Sequence, residues 1–439
     1  MKLSRFVHMC EDDNDNLLLL NTYTNDLYTF KGESKTELKK YIKDSSCSLK
    51  YLEYLKNEQI IVEEKVDENA RAEFQYLQNA HSNNKLLLTI LPTEDCNFRC
   101  PYCYESHNKG RMSESVINGI KEYIKKNLVY YKKLQVSWFG GEPLEELEIV
   151  KELSEYFISE CAKQKKPYTA SMTTNGYNLD LETFKILLRL HVIDYQITVD
   201  GFEHDNTRFL ANGEGTFKKI VTNLKNIKEN IASSSFNITI RTNITKSVIK
   251  NIKPFINFLD SKFGNDNRFG VIFKIVWSNN QDTEFNRNEL LPTGDLKKVL
   301  DYCIGTNLKF YINRGQICSK NGICYAAHSN AFVIGSDGNI YKCTVEFDKE
   351  INKIGKLHKE GKMILDMDKF LFWTMKTPFK EDKKCYECFF QPACMGVYCP
   401  MNRFDENGNH RCVGMKDYVD VYMKLCARNR DLVKEVNRL

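Results

Sequence analysis

The sequence predicts an α/β chain built on a parallel barrel or open half-barrel, with a small unit before it and a cysteine-rich one after it. Three observations predict this. Between Lys85 and about Thr306, short apolar strand patterns alternate with longer amphipathic helical patterns. Polar, glycine-containing motifs follow the strand candidates, at the strand ends where such architectures gather their active sites. The cysteines fall into two fields, three within Cys96–Cys103 and eight within Cys318–Cys412.

Taken in order, residues 1 to about 85 carry no metal pattern. Leu17–Leu20 and Leu27–Phe30 flank the turn-like Thr24-Asn25-Asp26 and read as a hairpin. Lys35–Lys43 and Leu49–Leu55 are short helical candidates, followed by the strand-like Ile60–Val62, with Glu63–Glu73 as a linker or helix. Strand candidates then recur at Leu86–Leu91, Gln135–Phe139, Tyr168–Thr173, Tyr195–Thr198, Asn237–Asn243 and Gly270–Trp277. Between and after them lie helical patterns at Ser113–Lys126, Leu147–Lys163, Leu181–Leu190, Phe217–Asn230, Ile249–Lys262 and Asp295–Tyr302. Six β–α units in series give a parallel sheet that can curl into a partial barrel. Asp417–Leu439 reads as a closing helix.

Composition excludes several classes of function. The 439 residues hold 63 basic and 58 acidic side chains, a net charge of +5 that is too balanced for a nucleic-acid binder. No apolar run approaches the ~20 residues of a membrane span, and no signal-peptide core precedes Glu11–Asn16. A cytoplasmic protein is expected. Sixteen cysteines without a secretion signal argue for metal rather than disulfides.

Cys96, Cys100 and Cys103 lie on one short loop after the first barrel strand. Three thiolates on such a loop can hold three irons of a [4Fe–4S] cube and leave the fourth iron open. A structural zinc site asks for four ligands instead. Gly140-Gly141-Glu142-Pro143 follows the second strand, Thr173-Thr174-Asn175-Gly176 the third and Thr198-Val199-Asp200-Gly201 the fourth. Arg241-Thr242-Asn243 lies on the fifth, with an arginine fork suited to a carboxylate.

The triplet, with Tyr102 as the aromatic residue before its last cysteine, resembles the signature of the radical S-adenosylmethionine (SAM) superfamily. The resemblance implies a partial (β/α)6 barrel over residues 86–306, resembling a TIM barrel, and an open iron chelated by SAM. An electron from the cluster then cleaves the sulfonium, and the 5′-deoxyadenosyl radical so formed abstracts hydrogen from substrate. It also implies SAM contacts at Tyr102, Gly140, Gly141, Glu142, Thr174, Asn175, Thr198, Asp200, Arg241 and Asn243. Residues 307–439 resemble the SPASM domain, which carries two auxiliary [4Fe–4S] clusters. Carried over, Cys318, Cys324, Cys343 and Cys399 would ligate one, and Cys385, Cys388, Cys394 and Cys412 the other. One departure is visible: four residues, Met395–Tyr398, separate Cys394 from Cys399 where that domain usually has three. Residues 1–85 resemble the winged-helix-like recognition element fused to many peptide-modifying enzymes, whose exposed strand edge pairs with a precursor's leader; a plain cap on the barrel is the alternative.

These resemblances imply a maturase of a ribosomally made precursor peptide, with three [4Fe–4S] clusters, SAM and an electron donor such as flavodoxin or ferredoxin. It would install a thioether, similar to sactipeptide and ranthipeptide synthases, or a carbon–carbon link. One alternative is an anaerobic sulfatase-maturing, formylglycine-forming enzyme. Those enzymes generally carry an aspartate directly after the Gly-x4-Cys cysteine; here Thr344 follows Cys343 and no carboxylate comes before Glu346. The other alternative is a zinc-binding interaction module in which both cysteine fields are structural. No catalytic base is identifiable, and neither nucleic acid nor membrane is an expected partner.

Overall fold

The computed structural model describes residues 1–45, 50–107, 109–276, 284–292, 294–310, 323–375, 383–394, 400, 414–428 and 433–436. The chain divides into two compact units: 1–81 with 310–328 and 375–439, and 82–309 with 329–374.

The first unit begins with β1 (Lys2–Leu3), β2 (Val7–Glu11), β3 (Leu17–Asn21) and β4 (Asp26–Phe30). The expected hairpin is β3–β4, paired antiparallel from Leu17↔Phe30 to Asn21↔Asp26. Asn25 sits at its tip with φ 59°, a conformation asparagine tolerates well. Then come α1 (Gly32–Lys43), α2 (Leu52–Asn57), β5 (Ile61–Val62) and α3 (Glu68–Ala80), which starts at its Asp67 N-cap rather than at Glu63. Leu38, Tyr41, Leu55, Ile60 and Ile61 close a core with Leu17, Leu19, Tyr28 and Phe30. The C-terminus departs from the expected closing helix. A helix spans only Val419–Ala427, and Val433–Glu435 is a strand lying parallel against β4. Val433 and Val436 flank Lys434-Glu435, a β-branched pattern that favours a strand over a helix end.

Among the described residues, the second unit is built on one ten-stranded sheet. Its parallel half is β6 (Leu86–Ile90), β7 (Leu134–Trp138), β8 (Tyr168–Thr174), β9 (Val192–Thr198), β10 (Asn237–Ile244) and β11 (Phe269–Ile275), in sequential order. Crossovers run through α4 (Glu114–Asn127), α5 (Leu147–Lys163), α6 (Leu181–Arg189), α7 (Phe217–Asn230), α8 (Lys246–Lys250) and α9 (Ile252–Phe263). This is the expected α/β partial barrel. The helix expected at Ile249–Lys262 is two helices that meet at Asn251. Pro254 falls in the first turn of α9, where its missing N–H has no helical partner to lose.

Residues 329–374, expected in a C-terminal domain, extend the barrel sheet instead. β12 (Ala331–Ile334) pairs parallel with β6 from Ala331↔Leu87 to Ile334↔Ile90. β13 (Asn339–Tyr341), β14 (Lys353–Leu357) and β15 (Met363–Leu365) continue antiparallel. The apolar Ala331-Phe332-Val333-Ile334 is buried throughout, so it forms an interior strand rather than a separate lobe.

Candidate active site

The site is a cavity at the C-terminal ends of the parallel strands, enclosing about 160 Å³. One water needs only ~10–15 Å³ by the same measure, so the space suits a larger guest. Strand alternation turns Gln196 and Thr198 of β9 and Arg241 and Asn243 of β10 toward it.

The cysteine loop is pinned from two sides. The Asn97 carbonyl accepts from Ala211 N–H at 2.9 Å, and Arg99 N–H donates to Phe209 O at 3.1 Å. That pairing delivers the neighbouring Arg208 into the cavity. On the other side, Glu94 Oε1 accepts from the Ser336 N–H at 3.0 Å and from its hydroxyl at 3.1 Å, tying the loop's start to the β12–β13 turn.

The Gly-Gly-Glu-Pro turn packs on the same loop. Gly140 has φ +122°, and a Cβ there would lie 2.1 Å from Thr93 O. A Cβ on Gly141 would lie 2.0 Å from Asp95 O. Both glycines line the cavity, but what crowds them is the cysteine loop's backbone.

Glu142 does not line the cavity. It is 0% exposed, with Oε1 accepting from Leu144 N–H at 3.0 Å and Thr174 Oγ1 at 2.7 Å, and Oε2 from Asn175 N–H at 2.6 Å. Burial raises its pKa to about 7 against those hydrogen bonds. Asp200 is likewise behind the wall. It accepts from the Tyr102 hydroxyl and from Asn243 N–H at 2.8 Å, and its own N–H donates to His204 Nδ1 at 3.0 Å. Burial holds the Asp200 carboxyl above its ordinary range, opposed by Arg208 and these bonds. The two carboxylates expected to touch SAM therefore brace the loops that could.

The structure brings together Cys96, Cys100, Cys103, Tyr102, Gly140, Gly141, Thr174, Asn175, Thr198, Arg241 and Asn243 around one space. The sequence reading missed Arg208, Gln196, Tyr104 and Glu105, which also line it. Arg208 is 9% exposed, donates to Tyr102 Oη at 3.1 Å and lies 5.4 Å from the Phe98 ring centre. Its Nε has no hydrogen-bond partner among the described residues. Burial opposes its charge, but Tyr102, Cys100 and Asp200 outweigh that. Burial pushes the Cys103 thiol up to about 12 and the Cys96 thiol higher still.

The second cysteine field is only partly described. Cys324, Cys385, Cys388 and Cys394 are half-buried and Cys343 is buried, while Cys318, Cys399 and Cys412 lie outside the described residues. Among the described residues no three His, Cys, Asp or Glu side chains converge on a single-ion site.

Residues 90–254 match the Radical SAM superfamily model, so this stretch of the chain is a radical SAM domain. The chain is 25% identical over 344 residues to a cysteine-type anaerobic sulfatase-maturating enzyme of Clostridium novyi (strain NT), covering 70% of this chain and 86% of that protein. It is 25% identical over 168 residues to the radical SAM cyclopropyl synthase TigE of Paramaledivibacter caminithermalis, 34% of each. Its fold is similar to native anSMEcpe with bound AdoMet and Kp18Cys peptide (TM-score 0.59, 19% identity, 78% of this chain and 96% of that one). It is similar too to Streptococcus suis SuiB bound to precursor peptide SuiA (TM-score 0.53, 15% identity, 94% and 99%).

The residues present fit the [4Fe–4S] cluster and SAM of this class. A cube takes one thiolate per iron, so it wants spaced thiols on one loop rather than ligands converging on a point. The cavity beside them offers backbone at two glycines, two guanidinium groups and the polar Thr174, Asn175, Gln196 and Thr198. No helix among the described residues is long and apolar enough to cross a membrane.

Proposed function

We propose that this chain is a radical SAM maturase that closes a cross-link in a ribosomally made peptide, a thioether in preference to a carbon–carbon bond. The observation that carries this reading is the single cavity that gathers three loop thiols, two glycines and two guanidinium groups at the strand ends. When bound there, the cluster and SAM supply a 5′-deoxyadenosyl radical. The chain's own part is to hold and shield them. Cys96, Cys100 and Cys103 ligate three irons. Gly140 and Gly141 offer backbone to the SAM amino group. Arg208 or Arg241 takes the carboxylate, and Thr174, Asn175, Gln196 and Thr198 meet the ribose and adenine. Glu142 and Asp200 keep those groups in register without touching SAM. The second cysteine field would hold two auxiliary clusters with the ligand sets given above, and these would supply one-electron redox chemistry.

The peptide substrate is supported by SuiB, a structure of which contains a precursor peptide and whose fold spans 94% of this chain. A sulfatase-maturating activity is the second reading, favoured by the Clostridium novyi relative. Against it stands Thr344 after Cys343. The next carboxylate, Glu346, is paired with Lys349 at 3.3 Å.

The test is anaerobic reconstitution with SAM and a strong reductant, reading 5′-deoxyadenosine, then addition of a cysteine-containing precursor peptide. A peptide product short of two hydrogens supports the cross-link; loss of sulfur from the cysteine supports the sulfatase reading. Replacing Cys96, Cys100 and Cys103 together with Ala should abolish 5′-deoxyadenosine and remove about four irons per chain, one cube's worth. Loss of all iron contradicts separate auxiliary sites.

A further inference from the structure

Arg241 and Lys274 are diagonal neighbours on β10 and β11, the two parallel strands farthest along the sheet from β6 and its cysteine loop. The strands run in register, with Arg241 beside Ile272 and Asn243 beside Lys274. Side chains two apart on a strand share a face, and so do partners side by side in a sheet. Arg241 and Asn243 of β10 and Val276 of β11 line the cavity, so Lys274 turns to that same face. Arg241 is steadied by its own strand, its Nε donating to Asn243 Oδ1 at 2.8 Å.

Neither cation has an acid. Among the described residues no carboxylate pairs with Arg241 or Lys274, and Lys274 makes no hydrogen bond. Burial, then the charge of Arg241, lower the Lys274 amine to about 8. Charges withdrawn from water are ordinarily paired, and two like charges so placed repel until an anion joins them.

The two guanidinium groups of the cavity act on different neighbours. Arg208 is the cation that acts most strongly on Cys96, Cys100 and Cys103. Arg241 is the one that acts on Tyr104 and Lys274. A SAM carboxylate chelated to the open iron of that loop therefore falls to Arg208, which leaves the second pair of cations for a second guest.

We propose that Arg241 and Lys274 form a subsite for a carboxylate of the substrate peptide. The inference rests on the peptide-maturase reading above, which asks for a guest beside SAM. A guanidinium fork offers a carboxylate two parallel donors, and the ammonium adds a point charge. Selectivity comes from burial, because an amide in the carboxylate's place leaves both cations uncompensated. The carboxylate is that of an Asp or Glu side chain or of the peptide's own C-terminus.

The test uses the reconstituted full chain, saturated with SAM, and three probes at millimolar concentration. They are acetyl-Ala-Cys-Ala-Asp-Ala amide, its twin with Asn for Asp, and that twin with a free C-terminus. Acetic anhydride labels unprotonated amines, and mass spectrometry reads the label on Lys274. A carboxylate beside Lys274 favours its charged form, so the Asp probe should slow labelling near pH 8 by about tenfold, a rise of about one pKa unit. The Asn amide should leave labelling unchanged. Protection by the free C-terminus, without protection by the Asp amide, supports the subsite and assigns the carboxylate to the peptide's end. In titration calorimetry, Lys274→Gln should cut the preference for the Asp over the Asn amide from at least about tenfold to within about twofold. Equal protection by the Asp and Asn amides, protection by no probe, or full protection by SAM alone overturns the proposal. Should Lys274→Gln fail to fold, the labelling of wild type decides. Modification of a cysteine-containing precursor is read separately. Protection of Lys274 with no modified precursor counts against the maturase reading alone, and a modified precursor with Lys274 unprotected counts against the subsite alone.

Discussion

Gly141→Ala tests whether the Gly-Gly-Glu-Pro turn acts by holding the cysteine loop. The new methyl would stand 2.0 Å from Asp95 O, 2.4 Å from Asp95 C and 3.0 Å from Cys96 N. These are backbone atoms, so no side-chain rotation relieves the clash. Relief means moving the loop by about 1–1.5 Å, because non-bonded contacts settle near 3.5 Å. Overpacking of this kind costs roughly 1–3 kcal/mol. The Glu142 N–H to Asp95 O bond (3.0 Å) and the Gly141 N–H to Thr93 O bond (3.3 Å) cross the same contact. Losing one of them adds about 0.5–1.5 kcal/mol. The expected loss is therefore about 1.5–4.5 kcal/mol, read as a lower urea midpoint. A displacement of that size should also slow uncoupled 5′-deoxyadenosine formation by about a hundredfold. The backbone conformation at Gly141 is one alanine accepts, so sterics alone are tested. A variant within twofold of wild-type rate and with an unmoved urea midpoint would refute the reasoning.

Two further outcomes follow from the cavity wall. Arg208→Gln should weaken SAM binding by about 10–100-fold, the worth of a charge-assisted pair, and Arg208→Lys should not restore it. Titration calorimetry on reconstituted protein checks this, and unchanged affinity in both variants would assign the carboxylate to Arg241. His204 is buried between the Asp200 N–H and Thr216 Oγ1, and burial, then Arg208, lowers its pKa to about 2. The folded pKa lies below the unfolded one, so the unfolded chain takes up the proton first. Stability is full above about pH 6.5 and falls as pH drops below it, by roughly 1 kcal/mol per unit. His204→Gln should flatten that slope between pH 7 and 5.5 in urea titrations, and an identical slope would place the effect elsewhere.

Much of the barrel was legible because its strands are short apolar runs separated by amphipathic helices, and the glycine motifs mark where each strand ends. The strand at Val433–Glu435 was not legible, since three residues give no periodicity and its partner lies some 400 residues earlier. β12 to β15 were hidden for a similar reason: the cysteines around them drew the reading toward a separate domain. At the site, most of the expected residues line one cavity, while Glu142 and Asp200 lie behind its wall. An acidic side chain beside a glycine turn reads as a ligand contact, and only burial reveals that Glu142 spends both oxygens on neighbouring loops. Arg208 had no sequence signal, because it reaches the cavity through the pairing of Phe209–Ala211 with Asn97–Arg99. Gln196 did have one, two positions before Thr198 on the same strand face. Glu105, two residues past Cys103, was also open to view.

The strand that carries the cysteine loop gains its second neighbour late. β6 ends at Ile90, and β12, which flanks it opposite β7, begins at Ala331. During synthesis a nascent chain therefore exposes one bare side of β6 while some 240 further residues emerge. The Ser336 anchor for Glu94 is missing over the same interval. The cysteine loop therefore gains its full set of contacts only late, and a chain truncated before residue 331 is expected to retain less iron after anaerobic reconstitution than the full chain.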